Sequence, residues 1–393
     1  MIARVFALLA LLAWAAGLPA GPAAAESPAL ILYLGVEGDP YYEPQPVYTG
    51  LSLKDRARPL DGVRLGFRDT RVLGRALGVS LELGEVLLPP GEAPASAIRE
   101  ARERGALAVL LDLPPAEMQA AVASEGAGGV LINIRDGAER WRAEDCAPAL
   151  LHTAPSDAML SDALAQYLRA RGWDVVLLLH GTQARDEEVA EAARRSIGKF
   201  GLRLADDRAF ELTNDPRRRD QSNIALLTGG ARHDVIWLVD THGEFGRYVP
   251  YATYAARPVV GSEGLVPRAW HWTFERYGAP QLNQRFHRLA GRNMTSEDWA
   301  GWAAVRAIVD AVSASGSAAP EAVRTALVAQ DLSIDLYKGV RGNFRDWDGQ
   351  LRQPLLLTTH NAVAAVAPVE GFEHQFDTLD TLGTDRPESR CRR

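Results

Sequence analysis

Cysteines, basic runs and nucleotide-binding motifs are scarce or missing in this sequence. Its 393 residues include only two cysteines, Cys146 and Cys391, which are too far apart for a C-x-x-C metal or redox motif. The formal net charge is −7, with the histidines counted as neutral. The longest basic run, Arg217–Arg219, is flanked by Asp215 and Asp220, so we expect no nucleic-acid partner.

The short motifs of common catalytic sites are also missing. No G-x-G-x-x-G follows a strand and opens a helix, and there is no G-x-x-x-x-G-K-[ST], H-E-x-x-H or G-x-S-x-G. His180, His242 and His271 could join a serine and an aspartate in a triad, but no spacing assigns them. We therefore predict a protein that is not an enzyme and has no cofactor. An exported hydrolase is the alternative.

The N-terminus carries a positive charge followed by a short apolar segment. Arg4 precedes the apolar run Val5–Leu18, and the small residues Ala23–Ala25 follow. This order is typical of a secretory signal peptide, which we place at residues 1–25, with cleavage after Ala25. The apolar run is shorter than the ~20 residues of a transmembrane helix, so we expect export without membrane insertion.

Export also bears on the two cysteines. Both follow the predicted cleavage site, so the mature chain would carry an even pair into an oxidising compartment. Such a pair predicts one disulfide, between Cys146 and Cys391. Two unrelated thiols are the alternative.

Short apolar runs alternate with amphipathic segments along the mature chain. The runs that predict buried strands are Ala29–Val36, Ala106–Asp112, Gly129–Ile134, Asp174–His180 and Asp234–Asp240. Nearly continuous apolar strands between helices predict an α/β fold with parallel sheets covered on both faces. The pattern occurs twice, with a joint near His152–Pro155.

The chain becomes helical again after about residue 272. Thr295–Ser315 is the clearest helix, with a capping box formed by Thr295 and Asp298. Two β-rich pieces, Lys338–Phe344 and Pro354–Thr359, are joined by a segment ending in Asp-Gly, which predicts a hairpin. We expect the remaining C-terminal residues to be irregular and extended.

The residues after the predicted strands are polar, acidic and aromatic. Open α/β sheets bind ligands beyond the carboxyl ends of their strands, and two such edges facing each other form a cleft. The candidate ligand-binding residues are Glu37, Asp39, Tyr41, Tyr42, Asp112, Asn133, Asp136, His180, Asp240, Trp270, His271 and Trp272. For each carboxylate alone, helix capping or loop solvation is the alternative.

Several segments carry a family resemblance. His152–Asp157 and Gly172–Val176 are similar to type I periplasmic binding proteins of the branched-chain amino acid transporter class. Other segments resemble the substrate-binding protein associated with pyrroloquinoline-quinone (PQQ)-dependent alcohol dehydrogenase systems; they are Gly243–Tyr248, Gly264–Trp272, Trp347–Pro354 and Asp385–Ser389. The resemblance covers essentially the whole mature chain.

This resemblance implies a two-lobed periplasmic protein in which three crossovers join two mostly parallel sheets flanked by helices. Lobe 1 would comprise residues 26–152 and 273–332, lobe 2 residues 153–272 and 333–370, and the C-terminal tail residues 371–393. A solute would bind between the lobes and pass to the permease and ATPase of an ABC transporter. The resemblance also links this function to PQQ-dependent alcohol oxidation.

The ligand class stays open at this point. Amino-acid-binding members hold the α-carboxylate with a Ser/Thr-rich loop, whereas this sequence has Asp112-Leu113-Pro114-Pro115 there. Asp112 would repel a carboxylate, and each proline lacks an N–H donor. Tyr41, Tyr42, Trp270 and Trp272 could stack on an organic solute. The acidic strand ends could instead hold a hard metal ion, such as calcium or a lanthanide, or its chelate.

Overall fold

The computed structural model describes residues 29–44, 56–124, 129–213 and 215–392, so the predicted signal peptide lies outside it. The first half forms a parallel five-stranded sheet in the order β2-β1-β3-β4-β5. Its strands are β1 (Ala29–Val36), β2 (Leu81–Leu88), β3 (Ala108–Asp112), β4 (Leu131–Asn133) and β5 (Leu150–His152). The α/β prediction is confirmed for this half.

Helices cover both faces of the first sheet, which explains why β1 is apolar at nearly every position. They are α1 (Leu60–Ala76), α2 (Ala95–Glu103) and α3 (Pro115–Ala123). Ile31 and Tyr33 belong to one hydrophobic core, whereas Leu30 and Leu32 belong to another on the opposite face. Because strand side chains alternate in direction, a strand buried on both sides needs apolar residues throughout.

A second parallel sheet follows, with four strands in the order β7-β6-β8-β9. Its strands and helices are α4 (Asp157–Arg171), β6 (Val175–His180), α5 (Ala184–Lys199), β7 (Arg203–Ala209), α6 (Ile224–Thr228), β8 (Val235–Val239), α7 (Val249–Ala252) and β9 (Val259–Gly261). Helix α7 is short, with only four residues. The backbone N–H of Tyr254 donates to the hydroxyl of Thr228 and not to a helical carbonyl.

Three helices follow: α8 (Ala279–Ala290), α9 (Ser296–Ser315) and α10 (Pro320–Leu327). The predicted capping box of α9 is present, with Thr295 Oγ1 accepting from the Asp298 N–H at 3.2 Å and Asp298 Oδ2 accepting from the Thr295 N–H at 3.0 Å. Helix α9 packs against α1 and the first sheet. No helix in the described ranges has the length and apolarity needed to cross a membrane.

The last strands form small antiparallel sheets. They are β10 (Val266–Arg268), β11 (Ile334–Asp335), β12 (Arg341–Gly342), β13 (Leu355–Thr358) and β14 (Val363–Ala367). The expected pairing of Lys338–Phe344 with Pro354–Thr359 is wrong, because β13 pairs with β10 and β14. The turn itself is present: the Gly349 N–H donates to the Arg345 carbonyl, and the Arg345 and Arg352 N–H groups donate to the Gln350 and Asn343 carbonyls. The pairing ends there, at a bridge between Phe344 and Leu351.

The chain leaves the first sheet at His152 and begins the second unit at α4. The backbone of His152 bonds to Gly349 and Leu351, and Gln353 Nε2 donates to the Thr153 carbonyl at 2.9 Å. Segments distant in sequence therefore lie side by side between the two sheets. The exact residues assigned to each lobe stay a prediction.

The C-terminal tail is irregular as expected, apart from two short 3-10 helices, but it packs against the protein and does not extend away from it. The carboxylate of Asp380 is buried and accepts hydrogen bonds from Arg345 and Arg352. The Gly383 N–H donates to Asp162 of α4 at 2.7 Å. The tail ends in a disulfide from Cys391 to Cys146, which lies between β4 and β5. The Gly383–Asp162 bond and the disulfide join residues 221 and 245 positions apart, so no local pattern could reveal them.

Candidate functional site

Asp112 ends β3 beside Gly35 of β1 and is fully buried. Its Oδ2 accepts a hydrogen bond from the Tyr33 hydroxyl, and its Oδ1 accepts one from the Tyr42 hydroxyl, both at 2.5 Å. Burial raises the pKa of the Asp112 carboxyl, while Arg135 and the two hydroxyls act against that shift. Both oxygens of Asp112 are therefore engaged by tyrosines of β1 and of the loop that follows it.

Two arginines, Arg135 and Arg58, lie beside this carboxylate. Arg135 Nη1 donates to Asp39 Oδ2 at 2.5 Å and lies 3.4 Å from Asp112 Oδ1. Arg58 Nη1 lies 3.6 Å from Asp112 Oδ2. A Cβ at Gly35 would stand 3.1 Å from that nitrogen, so glycine allows the arginine to approach the strand.

The arginines also stack on two tyrosine rings. The guanidinium carbons of Arg56 and Arg135 lie 4.4 and 4.2 Å from the Tyr41 ring centroid, and that of Arg58 lies 4.6 Å from the Tyr42 centroid. The two rings meet edge to face at 5.0 Å. We call these five residues the Arg–Tyr cluster. Such stacking fixes the planes of the guanidinium groups.

Tyr41 and Tyr42 both remain protonated at neutral pH. Burial raises the pKa of Tyr41 to about 12, with a further contribution from the charge of Glu297. Burial also raises the pKa of Tyr42, and Asp112 adds to that shift. The Tyr42 proton is bonded to Asp112, whereas the Tyr41 hydroxyl is a neutral donor beside the arginines.

The Arg–Tyr cluster touches the strand-end loop of the second sheet. Arg56 Nη2 donates to the Thr241 carbonyl at 3.2 Å. Thr241 follows β8 and is held by Asp186, which accepts from its N–H and hydroxyl at 2.8 and 2.7 Å. The Asp240 carboxylate binds the N–H groups of Gly243 and Gly246 at 2.8 and 2.6 Å. The carboxyl ends of the two sheets thus face each other.

Asn133 and Asp136 shape the loop that carries Arg135. Asn133 Oδ1 accepts from the backbone N–H groups of Arg135 and Asp136, and its amide donates to the Asp136 carbonyl. The Asp136 carboxylate accepts from Trp141 Nε1 at 2.7 Å. These two predicted site residues orient the arginine through the loop.

The other candidate residues lie in different surroundings. His180 Nε2 is 3.2 Å from Asp207, in an ion-pair group with Arg194. Trp270 is buried in the core with Trp299 and donates to Asn283, so its ring has almost no exposed surface.

Glu37, His271 and Trp272 also lie outside the Arg–Tyr cluster's described contacts. Glu37 is exposed beyond the end of β1. Trp272 is half-exposed beside His271. Burial, with Arg268 and His360 nearby, lowers the pKa of His271 to about 4 and keeps it neutral at pH 7. Ligand contact by any of these residues stays a prediction.

Sequence reasoning left Arg56, Arg58 and Arg135 out of the site, together with Tyr33. Arg56 and Arg58 precede α1 and do not directly follow a strand, while Tyr33 lies inside one. Arg135 comes two residues after the end of β4, so its position in the sequence could have indicated that it belongs to the site. In the part of the chain that the structure describes, no group of three or more His, Cys, Asp or Glu side chains is placed to hold a metal ion.

The fold is that of two-lobed type I periplasmic binding proteins. The chain is similar to a branched-chain amino acid ABC transporter periplasmic ligand-binding protein from Burkholderia xenovorans, with a TM-score of 0.70 and 16% identity over 92% of this chain and 99% of that one. It is also similar to a putative branched-chain amino acid ABC transporter protein from Rhodospirillum rubrum, with a TM-score of 0.66 and 16% identity over 86% and 99% of the two chains.

A third similar structure is an ABC transporter solute-binding protein from R. palustris in complex with benzoate. Its TM-score is 0.63, with 14% identity over 93% of this chain and 99% of that one. No protein-family model and no curated protein matches the chain. At these identities the similarity establishes the fold, and the function must be argued from the site.

Proposed function

We propose that this protein is the periplasmic substrate-binding component of an ABC transporter. It would capture a small solute between its lobes and deliver it to the permease and its ATPase. The main support for the proposal is that the carboxyl ends of the two sheets face each other, with a hydrogen bond from Arg56 to the Thr241 carbonyl between them. Hinge closure around a ligand is the usual motion of such two-lobed proteins.

The finer proposal links this transporter to PQQ-dependent alcohol oxidation. It is supported by the resemblance of Gly264–Trp272 and Trp347–Pro354 to the substrate-binding protein of those systems. An N-terminal segment with signal-peptide order supports the periplasmic location. Deleting the gene should therefore impair growth on alcohols that need the PQQ enzyme, and normal growth on all of them would argue against the link.

An organic solute fits the site better than a bare metal ion. Tyr41 and Tyr42 offer ring surface, whereas Asp39 and Asp112 are buried and already hold Arg135 or tyrosine hydroxyls. The solute-binding protein from R. palustris was solved with benzoate, which shows that this fold can hold a small organic molecule. Calcium or lanthanide binding remains the alternative that the screen below must test.

A binding screen of the mature protein tests the receptor function. Alcohols, aldehydes, organic acids, PQQ, calcium and lanthanum would be tested by thermal shift and then by calorimetry. We expect saturable binding that raises the melting temperature, with the added compound recovered unchanged. Turnover of a bound compound would instead support the hydrolase alternative.

A matched pair of variants locates the binding. Tyr41→Ala should weaken binding of the compound found by about tenfold or more, because the ring loses its contact area. Tyr254→Ala removes a tyrosine that is 73% exposed and should leave binding unchanged. Equal affinities of Tyr41→Ala and the parent would contradict the cleft assignment.

A further inference from the structure

The acidic groups of the cleft edge are already occupied. Asp112 and Asp39 are 0% and 2% exposed. Arg135 bonds to both, and Asp112 also accepts from two tyrosine hydroxyls. A ligand cation would have to displace these contacts before it could reach either carboxylate.

Arg56 and Arg58, at the same edge of the cleft, have N–H groups that could donate hydrogen bonds to a ligand. Among the described residues, the buried Nη1 of Arg58 has no hydrogen-bond acceptor, since Asp112 Oδ2 is 3.6 Å away, while its Nη2 donates to the Val36 carbonyl. Among the described residues, no carboxylate forms an ion pair with Arg56, whose contacts are the Thr241 carbonyl and the Tyr41 ring. A buried donor without an acceptor is unfavourable, so an acceptor brought by a ligand would stabilise it.

We infer that the ligand of the cleft is an organic anion, whose carboxylate binds Arg56 and Arg58 beside the Tyr41 hydroxyl. The inference rests on the proposed receptor function and names its class of solute. Guanidinium groups bind carboxylates through paired, charge-assisted hydrogen bonds, and the planes of these two are already set by tyrosine rings. The rings also supply apolar surface for the body of the ligand.

This inference reverses the expectation that Asp112 would repel an anion. The charge of Asp112 is balanced inside lobe 1 by Arg135 and Arg58, so the ligand does not meet an isolated carboxylate. Glu297 lies in the first turn of α9, and its charge raises the pKa of Tyr41. Among the described contacts, it has no hydrogen bond to the Arg–Tyr cluster. If the ligand had a positively charged group, we would expect Glu297 to form an ion pair with it.

Matched ligand pairs test the charge directly. Acetate, butyrate and benzoate would be compared with ethanol, butanol and benzyl alcohol, and benzylamine, leucine, calcium and lanthanum would be added. At low salt at least one carboxylate should bind tenfold or more tightly than its alcohol, and binding should weaken as salt rises. Tighter binding of an alcohol, an amine or a metal would overturn the inference and leave the receptor function intact. No binding by any compound would count against both.

Variants test which residues bind the carboxylate of the ligand. Arg56→Gln should weaken carboxylate binding at least tenfold, with little change for the matched alcohol, and Arg56→Lys should recover part of the loss. Arg64→Gln, which removes an arginine paired with Glu85 on the surface, should bind like the parent. Glu297→Gln should bind the carboxylate equally or more tightly. A loss in Glu297→Gln as large as in Arg56→Gln would overturn the inference, because it would indicate a cationic ligand group.

Discussion

The guanidinium of Arg345 donates to the carboxylate of Asp380 at 2.8 Å, and both side chains are almost completely buried. Arg352 adds two hydrogen bonds to the same carboxylate, at 2.8 and 3.0 Å. The Asp380 carboxylate therefore joins the segment before β13 to the C-terminal tail. Each arginine has a second carboxylate farther away, Asp348 at 3.6 Å from Arg345 and Asp377 at 3.8 Å from Arg352.

Asp380→Asn should lower the free energy of unfolding by about 3 kcal/mol, because it removes the carboxylate that is hydrogen-bonded to both buried arginines and leaves only more distant ones. Asp346→Asn is the matched control, since it breaks an exposed pair with Arg386 and should cost about 1 kcal/mol or less. Urea unfolding of both variants gives the comparison. Equal losses would show that burial does not strengthen the Asp380 contacts.

Gly62→Ala should destabilise the contact between α1 and α9. A Cβ at this position would lie 1.9 Å from the Asp298 carbonyl oxygen, so the helices would have to separate. We expect the free energy of unfolding to fall by about 1–3 kcal/mol, which would be observed as a lower melting temperature. Gly198→Ala, in α5 with open space around its Cβ, should be neutral or stabilising. A neutral Gly62→Ala would mean that the helix contact is looser than described.

The Cys146–Cys391 disulfide predicts that the unreduced, denatured protein contains no free thiol. Replacing both cysteines with serine should cost about 3–5 kcal/mol in the chain-entropy model, because the loop it closes is long. Thiol titration and urea unfolding check the two statements. Two titratable thiols would refute the bridge.

Lys338→Met should alter stability in a pH-dependent way. Burial lowers the pKa of the Lys338 amine well below its usual 10.5. As pH falls below about 10.5, the unfolded chain takes up a proton that the folded chain does not, so the parent loses stability toward neutral pH. Methionine removes this effect and also the bonds to Gln353 and Pro354, whose loss should depend little on pH. As the pH is lowered from 11 to 8, the free energy of unfolding of Lys338→Met should therefore increase relative to that of the parent. Urea unfolding at several pH values measures this, and a difference that does not change with pH would contradict it.

The sheets were predictable because each buried strand is a continuous apolar run. Ala29–Val36 matches β1 at both ends, and His180 ends β6 as expected. The pairing of β13 was not predictable, because the local turn signal at Gly349 does not specify which strand lies beside it. Pairing with β10 depends on contacts between residues about 90 positions apart.

The site was predictable where it follows strands and unpredictable where it depends on tertiary contacts. Tyr42 follows β1 and Asp112 ends β3, and they meet at one edge of the sheet through a hydrogen bond, while their contact with a ligand stays a prediction. Arg56 and Arg58 lie in a segment without periodicity, so the approach of Arg58 to Asp112 and the bond from Arg56 to Thr241 could not be inferred. Trp270 was ambiguous, since an aromatic residue after a strand can serve a ligand or a core, and its stacking with Trp299 was not visible locally.

The disulfide from Cys146 to Cys391 closes a covalent ring that contains all of the second sheet and helices α8 to α10. Within the described ranges, the chain passes from the first sheet to the second inside this ring, at residues 152–157. A single proteolytic cut anywhere between the two cysteines would therefore release neither lobe, and the nicked protein would migrate as one intact species until a reductant was added.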